Sequence, residues 1–148
     1  MIIEHGLRYT LTAAQFTVPI LMGDAIGFTQ AIYVAAGTTI ATHTLKRVLN
    51  DMHSGSTRLG ERPYDTDSKH NMPSGHTTMA ASAMFFLFLR YGRMHLCYAI
   101  PLTALTMYAR IVLKAHTFSA IFAGCILAAT IAAIFTSAYI KTNKKPNS

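Results

Sequence analysis

The sequence contains no tryptophan, only two cysteines and only six acidic residues among its 148. Charged residues make up 13% of the chain, about half of the ~25% usual in a soluble protein, which argues against an ordinary soluble domain. The net charge is +7, but no basic stripe is interleaved with aromatic side chains, so we expect no nucleic-acid partner. Cys97 and Cys125 lie in apolar segments, where we expect small packing residues rather than a disulfide.

Long apolar runs dominate what is present. Between residues 9–45 the only charged side chain is Asp24, and residues 115–140 contain no Lys, Arg, Asp or Glu. Such a run can cross a hydrocarbon core of about 30 Å, and Gly23 with Asp24 offers a break in the first run. We therefore predict a single all-α domain over residues 1–148, a multi-pass transmembrane bundle with five spans, or four if the first run does not divide. The five predicted spans are 9–22, 26–45, 76–90, 94–113 and 116–140.

The amino terminus has no signal-peptide pattern, so we expect the apolar segments themselves to direct insertion. Basic residues mark the cytoplasmic side of membrane proteins. They occur in the tail 141–148 and, as Arg90 and Arg93, in the turn after the third span. We therefore expect a cytoplasmic carboxyl terminus in a bacterial inner membrane. The loop 46–75 and the connection 110–116 are then expected to face the periplasm.

Two short motifs carry reactive side chains. The first is Pro73-Ser74-Gly75-His76, and the second is Arg110 with five residues between it and His116. Two predicted crossings separate the motifs, so both return to one membrane surface, where Lys46 and Arg62 also lie. Phosphoryl transfer needs cations on the phosphate oxygens, an in-line nucleophile and an acid for the leaving oxygen. A helix N-terminus, guanidinium forks and histidines supply these parts.

These motifs resemble the type 2 phosphatidic acid phosphatase family, which has a Lys and an Arg-Pro, then PSGH, then Arg-x5-His. The resemblance covers about residues 45–124. It implies a membrane phosphatase that acts on a phosphorylated lipid through a phosphohistidine, with no metal and no other cofactor. It implies that His116 is the nucleophile and that His76 protonates the leaving oxygen. The residues that it assigns to the phosphate cradle are Lys46, Arg62, Ser74, Gly75 and Arg110.

Three positions depart from the family pattern. Lys46 lies further before Arg62 than is usual, so Arg47 or Arg58 could supply that cation instead. Ala109 replaces a serine. Ala120 stands where the family has the aspartate that orients the nucleophilic imidazole. The groups left to take over that role are Ser119, Thr117, a backbone carbonyl, Asp65 and Asp67.

We therefore expect a membrane-embedded phosphatase that hydrolyses a lipid phosphate or polyprenyl pyrophosphate at the periplasmic surface. The alternative is a catalytically weakened relative that binds a phosphorylated lipid or a partner without turnover, and Ala120 motivates it. A third possibility is a membrane-assembly protein that keeps only the scaffold. The expected partners are the phosphorylated lipid and the bilayer. A homo-oligomer, in which a second copy completes the lipid groove, is left open, as is the identity of the lipid.

Overall fold

The computed structural model describes residues 2–65 and 67–140, and this part of the chain is mainly helical. Each of the five predicted apolar segments forms a helix, which confirms the all-α prediction. The helices are α1 (Ile2–Leu21), α2 (Ala25–Leu49), α3 (Gly75–Tyr91), α4 (Leu96–Val112) and α5 (Phe118–Phe135). A 3-10 turn, Arg93–His95, precedes α4. Among the described residues, α5 alone is long and apolar enough to qualify as a membrane span, so the crossing of the other four helices stays a prediction.

The predicted break in the first apolar run is present, and it is made by two residues. Gly23 has a φ of +62°, which glycine adopts at no steric cost. Asp24 then caps α2, because its Oδ1 accepts a hydrogen bond of 2.9 Å from the Gly27 N–H. The capping satisfies one of the amides that every helix start leaves without an intrahelical partner.

Asp24 also joins the end of α3 to the start of α2. Its Oδ1 accepts from Arg90 Nη2 at 2.7 Å, and both side chains are about 5% exposed. The Tyr91 hydroxyl donates to Asp24 Oδ2 at 2.9 Å. A charge pair this buried is strongly destabilised when one partner is lost, because the other is left uncompensated. Asp24, which the sequence indicated only as a break between helices, therefore also joins the start of α2 to the end of α3.

The last predicted span is too long at its carboxyl end. The helix α5 ends at Phe135, and residues 137–139 are bonded to Arg90 at the end of α3. Arg90 holds this segment, because its Nη1 donates to the Ser137 carbonyl at 2.8 Å and its own carbonyl accepts from the Tyr139 N–H at 2.8 Å. These bonds replace the helical ladder, so apolar composition alone overestimated the helix.

The predicted loop 46–75 contains regular structure. The helix α2 continues into it as far as Leu49, and a small antiparallel pair of strands follows, β1 (His53–Ser54) and β2 (Thr57–Arg58). Further on, the Asn71 N–H donates to the Gly60 carbonyl at 3.1 Å. The loop thereby folds back on itself and delivers residue 71 to the start of α3.

The helix α3 is central, since it packs against each of the other four helices and most extensively against α5. Small residues make that approach close: the buried positions of α5 include Ala120, Gly124, Ala128 and Ala132, one per turn. A Cβ on Gly124 would lie 2.9 Å from Thr78 Oγ1 and 3.0 Å from the Ser74 carbonyl oxygen. Glycine is therefore required at this position, as in other closely packed helix pairs.

Replacing Gly124 with alanine should push α5 away from α3. We expect Gly124→Ala to lower the free energy of unfolding by about 1–3 kcal/mol, the usual cost of overpacking, as measured by thermal unfolding in detergent. Ala133→Val, at an exposed position of the same helix, is the control and should change little. Equal stability of the two variants would show that the α3–α5 contact is looser than described.

Candidate active site

The connection between α4 and α5 ties Arg110 to His116. Lys114 takes a φ of +50°, an uncommon conformation for a residue with a side chain. The turn lets the N–H groups of Ala115 and His116 both donate to the Arg110 carbonyl, at 3.0 and 3.3 Å. Arg110 and His116 are 7% and 5% exposed. The Arg-x5-His spacing therefore encodes one tight turn that fixes two buried functional side chains relative to each other.

The backbone carbonyl of Asn71 orients the imidazole of His116. His116 Nδ1 lies 2.8 Å from the Asn71 carbonyl oxygen and 3.4 Å from Asn71 Oδ1. A carbonyl oxygen can only accept, so the proton is on Nδ1 and Nε2 carries the free lone pair. Of the substitutes considered for the missing aspartate, the structure places a backbone carbonyl there.

The side chain of Asn71 fixes the same turn. Its Oδ1 accepts from the Thr117 N–H at 3.1 Å, and its Nδ2 donates to Thr117 Oγ1 at 3.1 Å. Asn71 is 4% exposed. Sequence reasoning missed this residue, because an uncharged amide two positions before the PSGH motif carries no chemical signal of its own.

Burial and neighbouring cations keep His116 neutral. Its pKa is lowered to about 3, first by burial and then by the charges of Lys46, Arg62 and Arg110. The hydrogen bond to the Asn71 carbonyl acts in the opposite direction. A histidine with an unperturbed pKa near 6.5 is thus a neutral base with an available lone pair throughout the physiological range.

The PSGH motif forms the start of α3, with one correction to the expected arrangement. The helix begins at Gly75, one residue before the predicted span 76–90, and Ser74 is its N-cap. The Ser74 N–H donates to the Ala120 carbonyl at 2.9 Å, and Ser74 is fully buried. The Ser74 N–H therefore holds α3 against α5 and is not available to an anion. The backbone N–H groups that can bind an anion at this helix start begin at Gly75.

A cavity of about 570 Å³ opens at this helix start, between α1, α2, α3 and the loop. Five of the seven predicted site residues line it, and they are Lys46, Arg62, Gly75, His76 and His116. Ser74 and Arg110 do not line it. The charge of Arg110 nevertheless contributes to lowering the pKa of His116.

Lys46 is the lining cation among the three residues considered for the first motif. Arg47 is exposed, and Arg58 donates to the Asn50 side chain and to the Ser68 carbonyl within the loop. Lys46 Nζ donates to the carbonyl of His70, which also lines the cavity. The loop insertion between Lys46 and Arg62 thus folds so that both cations reach the same cavity.

The arrangement places a neutral imidazole, a second histidine, two cations and a helix N-terminus around one cavity, and a third cation, Arg110, acts on His116 from outside the cavity lining. Cations and helix amides stabilise the charge of a phosphoryl group, and the two imidazoles can serve as nucleophile and acid. Fold and site together are those expected of a helical protein that performs phosphoryl transfer.

The chain belongs to the PAP2 superfamily, whose model matches residues 27–144. It is 40% identical over 134 residues to the lipid A 1-phosphatase of Helicobacter pylori in two strains, covering 90% of this chain and 70% and 69% of those proteins. It is 34% identical over 128 residues to a Helicobacter pylori lipid A 4'-phosphatase, covering 83% of this chain and 63% of that protein. No solved structure is significantly similar to this chain. The comparisons confirm the resemblance to the type 2 phosphatidic acid phosphatases and support a phosphatase that acts on lipids.

Replacing Asn71 with aspartate should raise the pKa of His116, since a carboxylate near Nδ1 favours the imidazolium. We expect the pKa of His116 to rise by about 1–3 in Asn71→Asp. Titration of the histidine ring, observed in nitrogen-15 NMR spectra, measures this rise. The pH below which activity falls because His116 becomes protonated should rise with this pKa. At a given acidic pH, His116 is then neutral in a smaller fraction of the molecules. Asn50→Asp, in the loop beside Arg58, is the control. Unchanged titration of His116 in Asn71→Asp would mean that Asn71 does not set its environment.

Proposed function

We propose that this protein is a multi-pass phosphatase of the bacterial inner membrane that hydrolyses a lipid phosphate at the periplasmic surface without a metal. The observation that carries the proposal is the neutral, oriented imidazole of His116, which is subject to the charges of Lys46, Arg62 and Arg110. The names of its relatives make the phosphate at the 1-position of lipid A the first substrate to test.

In the first step, Nε2 of His116 attacks phosphorus. The bond from phosphorus to the lipid oxygen breaks, and His76 donates a proton to that oxygen. Lys46 and Arg62 balance the charge on the non-bridging oxygens, and Arg110 adds its positive charge from outside the cavity lining. The amides from Gly75 onward donate hydrogen bonds to the anion at the helix start. The phosphorylated imidazole keeps its proton on Nδ1, which donates a hydrogen bond to the Asn71 carbonyl oxygen.

In the second step, a water molecule attacks the phosphohistidine. His76, now without its proton, takes one from that water, and the bond between Nε2 and phosphorus breaks. Inorganic phosphate leaves, and both histidines return to their starting states. His76 thus acts as an acid when the first phosphorus–oxygen bond breaks and as a base when the new one forms.

The same geometry weighs against a binding protein without turnover. That alternative rested on Ala120 in place of the aspartate that orients the nucleophile. The Asn71 carbonyl occupies that role with a bond of 2.8 Å, so the loss of the carboxylate does not leave the imidazole unoriented. Ala120 itself is fully buried against the start of α3, where its carbonyl accepts from Ser74.

The membrane placement is supported by the apolar helix α5 and by the low content of charged residues. The basic residues beyond the last span lie outside the described residues, and the cytoplasmic carboxyl terminus rests on them as a prediction from sequence. A homo-oligomer likewise stays a prediction.

Phosphate release by the detergent-purified protein tests the proposal. The substrates are lipid A, phosphatidic acid, phosphatidylglycerol phosphate and undecaprenyl pyrophosphate, each in excess chelator. We expect release that survives the chelator. His76→Ala should reduce it by about 10²–10⁴, the usual contribution of a general acid–base group, and His116→Ala should reduce it at least as much.

The matched control is His53→Ala, an exposed histidine of β1, which should keep full activity. Absence of release from every lipid by folded protein would contradict the proposal. Release that the chelator abolishes would contradict its metal-free mechanism.

A further inference from the structure

The loop segment 68–71 holds two groups that the proposed mechanism uses, through the carbonyl oxygens of its backbone. The Asn71 carbonyl accepts from Nδ1 of His116 at 2.8 Å, and the carbonyl of the preceding residue, His70, accepts from Nζ of Lys46. Two neighbouring peptide groups therefore position the nucleophile and a phosphate-binding cation. A displacement of this segment would move both.

The segment depends on the rest of the loop for its position. Its four described residues form neither a helix nor a strand, so no regular ladder of backbone hydrogen bonds fixes their carbonyls. The Asn71 side chain bonds to Thr117, but Thr117 follows His116 in the chain, so these bonds tie the segment only to the turn that it positions. The direction of the carbonyls therefore depends on bonds to other parts of the loop.

Two bonds anchor the segment to the first half of the loop, one at each end. At one end the Asn71 N–H donates to the Gly60 carbonyl at 3.1 Å. At the other end the Ser68 carbonyl accepts from Nη2 of Arg58 at 2.9 Å, and Ser68 is 8% exposed. Arg58 belongs to the strand β2, and the proposed mechanism does not use it.

Both anchors meet at Asn50, the residue that follows α2. Nη1 of Arg58 donates to Asn50 Oδ1 at 3.2 Å, and Gly60 packs so closely on Asn50 that a Cβ would overlap this same oxygen. Asn50 is 9% exposed and lies about one helical turn beyond Lys46. A planar guanidinium suits this place, because its two terminal nitrogens can reach two acceptors at once. Arg58 thus joins the end of α2 to the segment.

The charge of Arg58 does not explain its place beside the site. Arg58 is not among the described residues that line the cavity. Within the described part of the chain, the charges that lower the pKa of His116 are those of Lys46, Arg62 and Arg110. Arg58 therefore reaches the site through the backbone that it holds and not through its charge.

We propose that Arg58 is a positioning residue for the nucleophile. It fixes the segment 68–71 against the end of α2, so that the Asn71 carbonyl keeps the proton of His116 on Nδ1 and leaves the lone pair on Nε2 for the attack. The effect on hydrolysis rests on the proposed function. The orientation of the ring does not rest on it, because the ring belongs to the free protein and can be observed without substrate.

Two variants of Arg58 separate its fork from its charge. Arg58→Met removes both, whereas Arg58→Lys keeps the charge on a single nitrogen, which cannot hold the two acceptors in the same geometry. The matched control is Arg47→Met, which removes an exposed cation of α2 next to Lys46 in the chain. Asn50→Asp retains an acceptor for Arg58 and is a second control.

The first measurement observes the two ring nitrogens of His116 by nitrogen-15 NMR spectroscopy at neutral pH. Their resonances are assigned by their absence from His116→Ala. In the wild type we expect a widely separated pair, because the Asn71 carbonyl holds a single tautomer. In Arg58→Met and Arg58→Lys the two resonances should move closer together, since both tautomers are then populated. The two controls should keep the wild-type separation.

The second measurement is the kinetics of phosphate release from lipid A. We expect both Arg58 variants to lower kcat by roughly 10- to 100-fold, the cost of a nucleophile displaced by about 1 Å. KM should stay nearly unchanged, because the phosphate-binding groups lie outside the segment 68–71. Arg47→Met should keep the wild-type kcat.

The possible results either support the positioning role or overturn it. An unchanged separation of the ring resonances, or an unchanged kcat, in both Arg58 variants would overturn it. A loss confined to Arg58→Met, or an equal loss in Arg47→Met, would assign the effect to charge and overturn it as well. Loss of the cooperative thermal transition in both Arg58 variants would assign Arg58 to the fold as a whole, with the same consequence.

The NMR measurement also separates this inference from the proposed function. Closer ring resonances in both Arg58 variants of a protein that releases no phosphate from any lipid would support the positioning role and overturn the proposed hydrolysis. Phosphate release by the wild type, with ring resonances and kcat that no Arg58 variant changes, would leave the phosphatase intact and overturn the positioning role.

Discussion

The contact between α3 and α5 is the constraint on which the site depends. The Ser74 N–H donates to the Ala120 carbonyl, and one turn further Gly124 lets the two helices approach to within backbone contact. His76 stands on the first turn of α3, and His116 stands just before α5. The starts of α3 and α5 are joined directly. The two imidazoles therefore line the same cavity, and the loop is not needed to bring them together.

The electrostatics of the site depend on burial. Lys46, Arg62 and Arg110 all lower the pKa of His116, and burial lowers it further, so the free site is a neutral base among positive charges. In the proposed mechanism, a phosphate dianion supplies the missing negative charge beside Lys46 and Arg62, which line the cavity. The same side chains would then bind the substrate and stabilise the reacting phosphoryl group, and His116 would attack as the neutral imidazole.

Sequence alone predicted the all-α class, the break at Asp24 and five of the cavity-lining residues, because hydrophobic runs and charged motifs leave a direct trace. It placed the end of α5 too late, since the bonds that Arg90 makes to Ser137 and Tyr139 come from a helix far away in the chain. It could not find Asn71. The role of this residue arises from the fold of the loop, which brings it beside His116 and which no local pattern specifies.

The central claim is that His116 is the nucleophile, and trapping the phosphorylated protein tests it most directly. The measurement is mass spectrometry of His76→Ala after brief reaction with p-nitrophenyl phosphate. The phenolate of this substrate leaves without a proton, whereas breakdown of the intermediate lacks its base. We expect one acid-labile phosphate on His116. Continued release of phosphate with no phosphate on His116, or with phosphate on another residue, would contradict it.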